Sequence, residues 1–343
     1  MRNGKKILIT GAAGFIGAAL AQKLLSENLD VVGVDNLDKY YDINLKKNRL
    51  YEIEKKAKAF KSKWTFYNDS IEHLERINKI FEIESPQIVV NLAAQAGVRY
   101  SLTNPHCFNK TNIVGFGNIL ENCRLNNIEH LIYASSSSVY GGNESLPYRE
   151  KQSVNHPVSL YAATKKANQL MPHTYSHNYN LPTTALRFFT VYGPWGRPDM
   201  APIIFAKAIS KGEEINVNNF GKMKRDFTYI DDIIEGIYRC SFKPATADIK
   251  FDTLRPNPST SYAPYRIFNI GSNKSVELMA FIKIIEKNLN IKAKLNLCPL
   301  PKGDVIATSA DTSGLYEWVD FYPSTTLEEG MQKFINWFKN YYC

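Results

Sequence analysis

The start of the chain contains the pattern that most restricts its fold: a short strand, a turn with three glycines and a helix, in that order. The run Lys5–Thr10 predicts a buried strand and leads directly into Gly11, Gly14 and Gly17. Alanine and leucine residues then predict a helix that ends near Leu25. Glycines let the backbone approach a pyrophosphate, whose charge meets the free amides at the helix N-terminus. The pattern predicts a nucleotide-binding turn, with a purely structural glycine turn as the alternative.

A second predicted strand, Val31–Val34, ends at the acidic residue Asp35, which lies 18 residues after Gly17. This is close to the offset of about 20 residues at which a carboxylate hydrogen-bonds the ribose of a bound dinucleotide. A carboxylate at that point would repel a ribose phosphate. We therefore expect NAD, rather than NADP, as the cofactor.

Strand and helix patterns continue to alternate through the first half of the chain. Further strands are predicted over residues 63–67, 87–92, 130–135 and 183–189. This alternation predicts an α/β fold with a Rossmann-type doubly wound parallel sheet. Ligands bind at the carboxyl ends of such strands, so the residues there should converge. They are Asp35, Asp69, Ala93 to Gly97 and Ser135 to Ser138.

The loop Thr190–Met200, rich in proline, glycine and aromatic residues, marks a change of organisation. We expect an NAD-binding domain over residues 1–189 and a smaller α/β substrate-binding domain over 190–343. A segment near 225–270 is expected to return to the first domain. Within it, Phe227–Arg239 is predicted to be helical.

A tyrosine and a lysine, Tyr161 and Lys165, lie four positions apart, 25 residues beyond Ser136. This spacing puts both side chains on one face of a helix. An adjacent ammonium favours the phenolate and lowers the tyrosine pKa from about 10, so the pair could take a proton from an alcohol. An exposed helical pair is the alternative for the spacing alone. Pro172 predicts a kink or a break later in the same helix.

The formal net charge of +9 is concentrated in one segment. Between Asn44 and Lys63 there are eight lysine or arginine residues and two glutamates. The segment is interpreted as a solvated helical insertion, and because no recognition motif accompanies it, no nucleic-acid partner is expected. The excess charge remains compatible with small acidic ligands.

Cysteine content and hydropathy indicate the compartment. The five cysteines are scattered without a Cys-x-x-Cys pair, which favours reduced thiols over disulfides or a metal site. The basic residues from Met1 to Lys6 lead straight into the first strand, and no segment approaches about 18 uncharged apolar residues. We expect a cytoplasmic protein without a signal, an anchor, a membrane partner or a metal.

The glycine turn, the acid after the second strand and the serine, tyrosine and lysine together resemble the extended short-chain dehydrogenase/reductase family. The residues are Gly11, Gly14, Gly17, Asp35, Ser136, Tyr161 and Lys165. Longer runs resemble the UDP-glucuronate 4-epimerases within that family. They are Asp35 to Leu37, Tyr40 to Asp42, Ala93 to Ser101, Arg187 to Met200 and Arg225 to Phe227.

The resemblance implies a tightly held NAD, a UDP-hexuronic acid as substrate and inversion at carbon 4 through a transient 4-keto sugar. Tyr161 would take the proton of the 4-hydroxyl while the carbon-4 hydride passes to the nicotinamide. Lys165 would lower the tyrosine pKa and hold the nicotinamide ribose, and Ser136 would hydrogen-bond the reacting oxygen.

The resemblance also implies two sets of binding residues. The cofactor set, beside Tyr161 and Lys165, is Gly11, Gly14, Phe15, Ile16, Gly17, Asp35, Asn36, Asp69, Ser70, Ala93, Ala94 and Asn112. The substrate set is Arg99, Ser137, Ser138, Thr190, Arg197, Arg225 and Asp304. Arg197 is expected to face the substrate carboxylate through two parallel hydrogen bonds, with an arginine that caps its loop as the alternative. Arg225 is a candidate for the pyrophosphate and Asp304 for the uridine ribose.

Other activities stay open. Sugar-nucleotide dehydratases and decarboxylases of this family carry an acidic residue where this chain has Ser138, so simple epimerisation is favoured over them. A 4-epimerase of another UDP-hexose or of a UDP-N-acetylhexosamine is the main alternative. A non-catalytic NAD-binding regulator would have lost Ser136, Tyr161 or Lys165, and all are present.

The resemblance further implies a homodimer, formed through the helices predicted at 105–126 and 159–179. There are three departures from the family pattern, one of which is the absence of the arginine that galactose epimerases have near Pro301. Asn91 stands where histidine is frequent, and Pro172 is unusual within the catalytic helix. None of these changes removes a catalytic group.

Overall fold

A computed structural model describes residues 4–343. Part of the basic N-terminal stretch on which the prediction of no signal rested, Met1–Asn3, lies outside the described residues. Within residues 4–343, no helix combines the length and the apolar character needed to cross a membrane.

The centre of the molecule is a seven-stranded parallel sheet with the strand order β10-β6-β5-β4-β1-β2-β3. Its strands are β1 (Lys6–Thr10), β2 (Asp30–Asp35), β3 (Trp64–Asn68), β4 (Ile88–Asn91), β5 (His130–Ser136), β6 (Thr183–Phe188) and β10 (Tyr265–Ile270). The chain order reverses between β1 and β4, which is the position where open parallel sheets bind ligands.

Two small sheets complete the C-terminal part. One contains β7 (Thr190–Tyr192), β9 (Lys224–Tyr229) and β11 (Ser275–Glu277), and the other contains β8 (Glu214–Val217) and β12 (Lys294–Leu297). The predicted α/β class, with its doubly wound parallel sheet, is confirmed.

Helices cover both faces of the central sheet and also pack against the two small sheets. They are α1 (Phe15–Ser26), α2 (Ile43–Phe60), α3 (Leu74–Glu84), α4 (Tyr100–Thr103), α5 (Pro105–Phe108), α6 (Phe116–Leu125), α7 (Leu160–Tyr179), α8 (Ala201–Ser210), α9 (Ile230–Ser241), α10 (Leu278–Leu289), α11 (Ser313–Val319) and α12 (Leu327–Tyr342). Of these, α8, α10 and α12 pack against strands of the two small sheets. Alternate residues of β1 show why both faces of the central sheet need cover: Ile7 and Ile9 belong to one apolar core and Leu8 to the other. Strands buried on both faces read as continuous apolar runs, as they do in this sequence.

Three local expectations are revised by the structure. Phe227 to Tyr229 form the end of β9 rather than the start of a helix, because they pair with β7, and α9 begins only at Ile230. The helix predicted near 105–126 contains a π-helical segment, Asn109–Gly115, between α5 and α6. Helix α7 runs through Pro172 without ending, so the break that was one of the two predicted outcomes does not occur, although that residue cannot donate a backbone hydrogen bond.

Candidate active site

A cleft of about 1140 Å³ lies along the carboxyl edge of the parallel sheet. It is lined by the glycine turn, the ends of β2, β4 and β5, the start of α7, and residues of the C-terminal part. Of the residues predicted from the sequence, the lining includes Gly11, Gly14, Phe15, Ile16, Gly17, Asp35, Asn36, Asp69, Ser70, Ala93, Ala94, Arg99, Ser136, Ser137, Ser138, Tyr161, Lys165, Thr190, Arg197, Arg225 and Asp304. The topology therefore brings together residues that are up to 293 positions apart in the chain, from Gly11 to Asp304.

The glycine turn has the geometry that a pyrophosphate requires. Gly11 has a φ of +71°, and a Cβ atom there would lie 2.7 Å from the Ala93 nitrogen. A Cβ atom on Gly17 would lie 2.1 Å from the Gly11 carbonyl oxygen. Gly14 caps α1 without a side-chain hydrogen bond, and the first turn of that helix has no acidic residue. The helix N-terminus thus presents amides and positive potential to an anion, so the turn fits the NAD pyrophosphate.

Asp35 ends β2 inside the cleft with its carboxylate oriented by the backbone. Oδ2 accepts a hydrogen bond of 3.0 Å from the Ala13 amide, and Oδ1 accepts one of 2.8 Å from the Leu37 amide. A carboxylate can accept about four hydrogen bonds, so capacity remains for a ribose diol. Burial raises the pKa of Asp35, and the nearby charge of Lys46 opposes that rise.

Asp69, after β3, is held by hydrogen bonds from neighbouring side chains. His73 Nδ1 lies 2.9 Å from Oδ1, and Arg76 donates a hydrogen bond of 3.1 Å to Oδ2. Burial alone would raise the pKa of Asp69, but hydrogen bonds from His73, the Ser70 amide and Arg76 lower it below its ordinary value. Asp69 is therefore a fixed anion at the edge of the cleft.

Asn112, predicted to bind the cofactor, lies behind the wall of the cleft and is only 1% exposed. Its amide oxygen accepts from the Gln95 nitrogen at 2.8 Å, and its amide nitrogen donates to the Gln95 oxygen and the Thr164 hydroxyl, both at 3.0 Å. The side chain joins the loop after β4 to helix α7. Its contacts are those of a residue that supports the cleft wall rather than one that lines it.

The serine, tyrosine and lysine meet where β5 and α7 approach each other. The Ser136 hydroxyl donates a hydrogen bond of 3.1 Å to the Ser138 hydroxyl, and the Ser136 side chain is close enough to Tyr161 to lower the pKa of its phenol. Lys165 is 3% exposed and donates a hydrogen bond of 2.9 Å to the Ala134 carbonyl oxygen. Helical spacing places Tyr161 and Lys165 on the same face of α7, and the strand end supplies the serine.

The expected lowering of the tyrosine pKa by Lys165 is not what this structure shows. Burial raises the pKa of Tyr161, while the Ser136 hydrogen bond and the Arg197 charge lower it to a smaller extent. Burial also lowers the pKa of Lys165 to about 8. Both shifts have the same origin, because removal from water disfavours the charged form of either group.

Arg197 forms an ion pair with a residue of its own loop. Its guanidinium donates to Asp199 at 3.0 Å (Nε to Oδ1) and 2.6 Å (Nη2 to Oδ2) and lies over the ring of Tyr40. The Tyr40 hydroxyl donates to Asp199 Oδ2 at 2.9 Å. Burial alone would lower the pKa of Arg197, but the pairing with Asp199 outweighs it, so the group remains a cation. No role was predicted for Asp199 from the sequence, although it lies two residues after Arg197 in the run Arg187 to Met200.

A second set of opposite charges lies at another part of the cleft. Asp304 Oδ1 accepts a hydrogen bond of 2.7 Å from Arg225, and Asp304 Oδ2 lies 3.4 Å from Arg99 Nη2. Arg225 also donates to the Val305 and Ile306 carbonyl oxygens, at 2.6 and 3.0 Å. Burial lowers the pKa of Arg225, and the charge of Asp304 opposes this. The residues predicted for the pyrophosphate and the uridine ribose are thus direct neighbours.

The interpretation of residues 44–63 as a solvated insertion is only partly right. Helix α2 has a buried face formed by Leu45, Lys46, Arg49, Ile53 and Ala57. Lys46 lines the cleft and donates to the Asp38 carbonyl oxygen at 2.7 Å. Lys46 and Arg49 lie three positions apart, at helical spacing with the buried apolar residues. This spacing was the sequence signal that both cations belong to the buried face.

Within residues 4–343, no three His, Cys, Asp or Glu side chains are grouped as a metal site would require.

Comparisons with known proteins agree with this geometry. The model of the NAD dependent epimerase/dehydratase family matches residues 7–271. Protein CapI of Staphylococcus aureus is 52% identical over 98% of this chain and 99% of its own. A probable UDP-glucuronate 4-epimerase of Rhizobium meliloti strain 1021 is 42% identical over 98% of both chains. The crystal structure of a UDP-glucuronic acid 4-epimerase from Bacillus cereus, in complex with UDP-glucuronic acid and NAD, superposes with a TM-score of 0.85. It is 29% identical over 98% of this chain and 100% of the other.

Proposed function

The chain belongs to the NAD dependent epimerase/dehydratase family, and we propose that it inverts carbon 4 of UDP-glucuronate to give UDP-galacturonate. Its cofactor is NAD. The comparisons support the coarser activity, an NAD-dependent 4-epimerase of a UDP-sugar. The finer assignment, a hexuronic acid, rests on the chemistry of the cleft.

The observation that carries the proposal is the position of Arg197 relative to Tyr161. The guanidinium lines the same cleft and is close enough to lower the pKa of the phenol. In a hexuronic acid the carboxylate is attached to carbon 5, which is bonded directly to the reacting carbon 4. A cation near the proton acceptor is therefore in the region where the substrate carboxylate would lie. Paired hydrogen bonds between a guanidinium and a carboxylate supply both orientation and energy.

The groups of the chain divide the reaction between them. Tyr161 accepts the proton of the 4-hydroxyl, and Ser136, whose side chain lowers the pKa of the phenol, donates to the reacting oxygen. Lys165, on the same helix face as the phenol, contributes a buried amino group whose pKa is lowered to about 8 and which would hold the nicotinamide ribose. NAD, when bound, supplies the acceptor and donor of the carbon-4 hydride. The return of the hydride to the opposite face of a 4-keto sugar inverts the carbon without net oxidation.

The surroundings of Ser138 favour inversion over elimination. Its hydroxyl accepts a hydrogen bond from Ser136, and its amide donates to Ser136 Oγ at 3.1 Å. A hydroxyl at this position is a poor proton shuttle at neutral pH compared with a carboxylate or imidazole. Position 138 therefore lacks the acid–base group with which related enzymes remove water or a carboxylate from the sugar.

A second substrate class is supported by Asp199. Because this carboxylate already balances the charge of Arg197, a neutral UDP-hexose or a UDP-N-acetylhexosamine could bind without leaving that cation unpaired. The reaction at carbon 4 would be the same. A comparison of substrates separates the two assignments.

A homodimer through the helices at 105–126 and 159–179 remains a prediction. Apolar or aromatic side chains are exposed on these helices, as that interface would require. They are Val114, Leu125, Leu170 and Tyr179.

The decisive experiment is to incubate the purified protein, without added cofactor, with UDP-glucuronate, UDP-glucose or UDP-N-acetylglucosamine in separate samples. Proton NMR then follows the 4-epimer of each. The proposal expects UDP-galacturonate as the main product, with kcat/KM at least about 100-fold higher than for the neutral sugars. Conversion of a neutral sugar alone would move the assignment to the second class, even if NAD has to be added for turnover.

A further inference from the structure

Arg49, on the buried face of α2, connects two parts of the cleft that are distant in the sequence. It is 1% exposed, and all five of its N–H groups have acceptors. Nε and Nη2 donate to the Trp195 carbonyl oxygen at 3.0 and 2.6 Å, and Nη2 also donates to the Gly196 carbonyl oxygen at 3.1 Å. Nη1 donates to the Ala13 carbonyl oxygen at 3.1 Å and to the Tyr41 hydroxyl at 2.6 Å.

The guanidinium is buried without an acidic partner. Among residues 4–343, no carboxylate oxygen lies within 4 Å of its nitrogens. A buried charge costs several kcal/mol unless hydrogen bonds replace its hydration. Here backbone carbonyls and one hydroxyl replace that hydration, so the cost of burying the charge is offset only while both connected segments keep their positions.

The first connected segment is the loop that carries Arg197. Trp195 has a φ of +65°, a left-handed conformation that costs a non-glycine residue about 1 kcal/mol or more. Two restraints hold it there: the hydrogen bonds from Arg49 to its carbonyl oxygen, and the packing of its ring against Trp337 and Tyr341. The strained residue lies only two positions before Arg197.

The second connected segment is the glycine turn. While the Ala13 carbonyl accepts from Arg49, the Ala13 amide donates to Asp35 at 3.0 Å. A single residue of the turn, Ala13, is therefore held through its amide by the carboxylate expected to bind a ribose and through its carbonyl oxygen by Arg49. One side chain thus spans from the cofactor turn to the loop of Arg197.

We propose that Arg49 is a positioning residue, which holds the loop carrying Arg197 in register with the glycine turn. The inference rests on the proposed function only in the assumption that Arg197 binds the substrate carboxylate. The restraint itself follows from the hydrogen bonds and from the strain at Trp195. Its effect on catalysis would be on substrate binding, because Arg49 is outside the group formed by Ser136, Tyr161 and Lys165.

The test compares wild type with Arg49→Met, Arg49→Lys and the control Asn48→Ala, all as full-length protein with its retained NAD. Asn48 is a suitable control because it also tethers α2, but to Tyr341 of α12, through a hydrogen bond of 2.7 Å. Amide hydrogen exchange is followed at residues 194–200 and, as internal references, in β5 and α10. Steady-state assays give kcat and KM for UDP-glucuronate and the inhibition constant of UDP, which has no carboxylate.

In Arg49→Met, exchange at 194–200 should be about 10-fold faster while the reference segments are unchanged. KM for UDP-glucuronate should rise about 10-fold, with a smaller change in kcat and an unchanged inhibition constant for UDP. Arg49→Lys keeps the charge but has fewer donors, so it should recover part of both effects. Asn48→Ala should resemble wild type.

Two results overturn the inference. One is wild-type exchange at 194–200 in Arg49→Met. The other is an increase of the same size in the loop and in the reference segments, which would describe a general loss of stability. If Arg49→Met does not fold, Arg49→Lys decides, since unchanged loop exchange in that variant is also incompatible with the inference. If wild type does not convert UDP-glucuronate, the proposed function fails, but the exchange data still test whether Arg49 positions the loop.

Discussion

The Arg197 guanidinium and the Asp199 carboxylate form a two-point ion pair inside the cleft, with N–O distances of 3.0 and 2.6 Å. The Tyr40 hydroxyl donates to the same carboxylate, and burial is the main reason that the pKa of Tyr40 rises to about 12. The cation is thus oriented by its own loop. A substrate carboxylate would have to share the guanidinium with Asp199 or displace Asp199 from it.

Replacement of the cation should separate acidic from neutral substrates. Arg197→Gln is expected to lower kcat/KM for UDP-glucuronate about 100-fold, the equivalent of about 2.7 kcal/mol, because a charged pair of hydrogen bonds is lost. The matched variant Asp199→Asn keeps the guanidinium and should change the same ratio by less than about 10-fold. Initial rates by proton NMR give both values. Equal losses in the two variants would mean that the pair serves only the loop structure.

The tyrosine should carry the proton transfer. Tyr161→Phe removes the phenolic oxygen but keeps the ring, which packs edge-on against Phe108. We expect kcat to fall about 10³-fold, within the range for loss of a general acid–base group, with the NAD content unchanged. Tyr179→Phe, an exposed change on the same helix, should be neutral. Retention of more than a tenth of the activity in Tyr161→Phe would exclude it as the proton acceptor.

The buried charge of Lys165 should lower the free energy of unfolding, although the residue supports activity. Its pKa is lowered from 10.5 to about 8 by burial, so below pH 8 the folded chain must bury a charge that the unfolded chain leaves in water. The penalty is about 3 kcal/mol below pH 8 and disappears as the pH rises toward 10.5, because the unfolded state then binds the extra proton. Lys165→Met should therefore be more stable than wild type at pH 7, and the difference should shrink by pH 10.

Urea unfolding of wild type and Lys165→Met at pH 7, 8.5 and 10 measures this difference. The exposed substitution Lys55→Met serves as the control, and it should show no such pH trend. The same Lys165→Met protein should be at least about 100-fold less active. A methionine variant that is less stable than wild type at every pH contradicts the assigned burial penalty.

The glycine turn should not tolerate a side chain at Gly17. A Cβ atom there would lie 2.1 Å from the Gly11 carbonyl oxygen, so the turn would have to open. Gly17→Ala should leave the purified protein without NAD, as read from its absorbance spectrum after denaturation. In Gly117→Ala, by contrast, the nearest atom to the new Cβ is Met171 Cε at 3.6 Å, and NAD content should stay normal. NAD retained in Gly17→Ala would show that the turn can move away from this contact.

Local patterns in the sequence were sufficient for the sheet and much of the cleft. The apolar run of β1, the glycines after it and the acid at the end of β2 each predict the local structure of only a few neighbouring residues. The i, i+4 spacing of Tyr161 and Lys165 likewise depends only on the helix that carries them. Because parallel strands end at one edge of a sheet, correct strand assignments also predicted that these residues would meet.

The roles of Arg49, Asn112 and Asp199 were decided only by the tertiary structure. Whether a polar side chain is solvated or buried depends on partners that the chain brings from far away, such as the Trp195 carbonyl oxygen for Arg49 and the Thr164 hydroxyl for Asn112. The same holds for the pKa of Tyr161. An adjacent lysine predicted a lower value, but removal from water, which no local pattern encodes, has the larger effect in the folded chain.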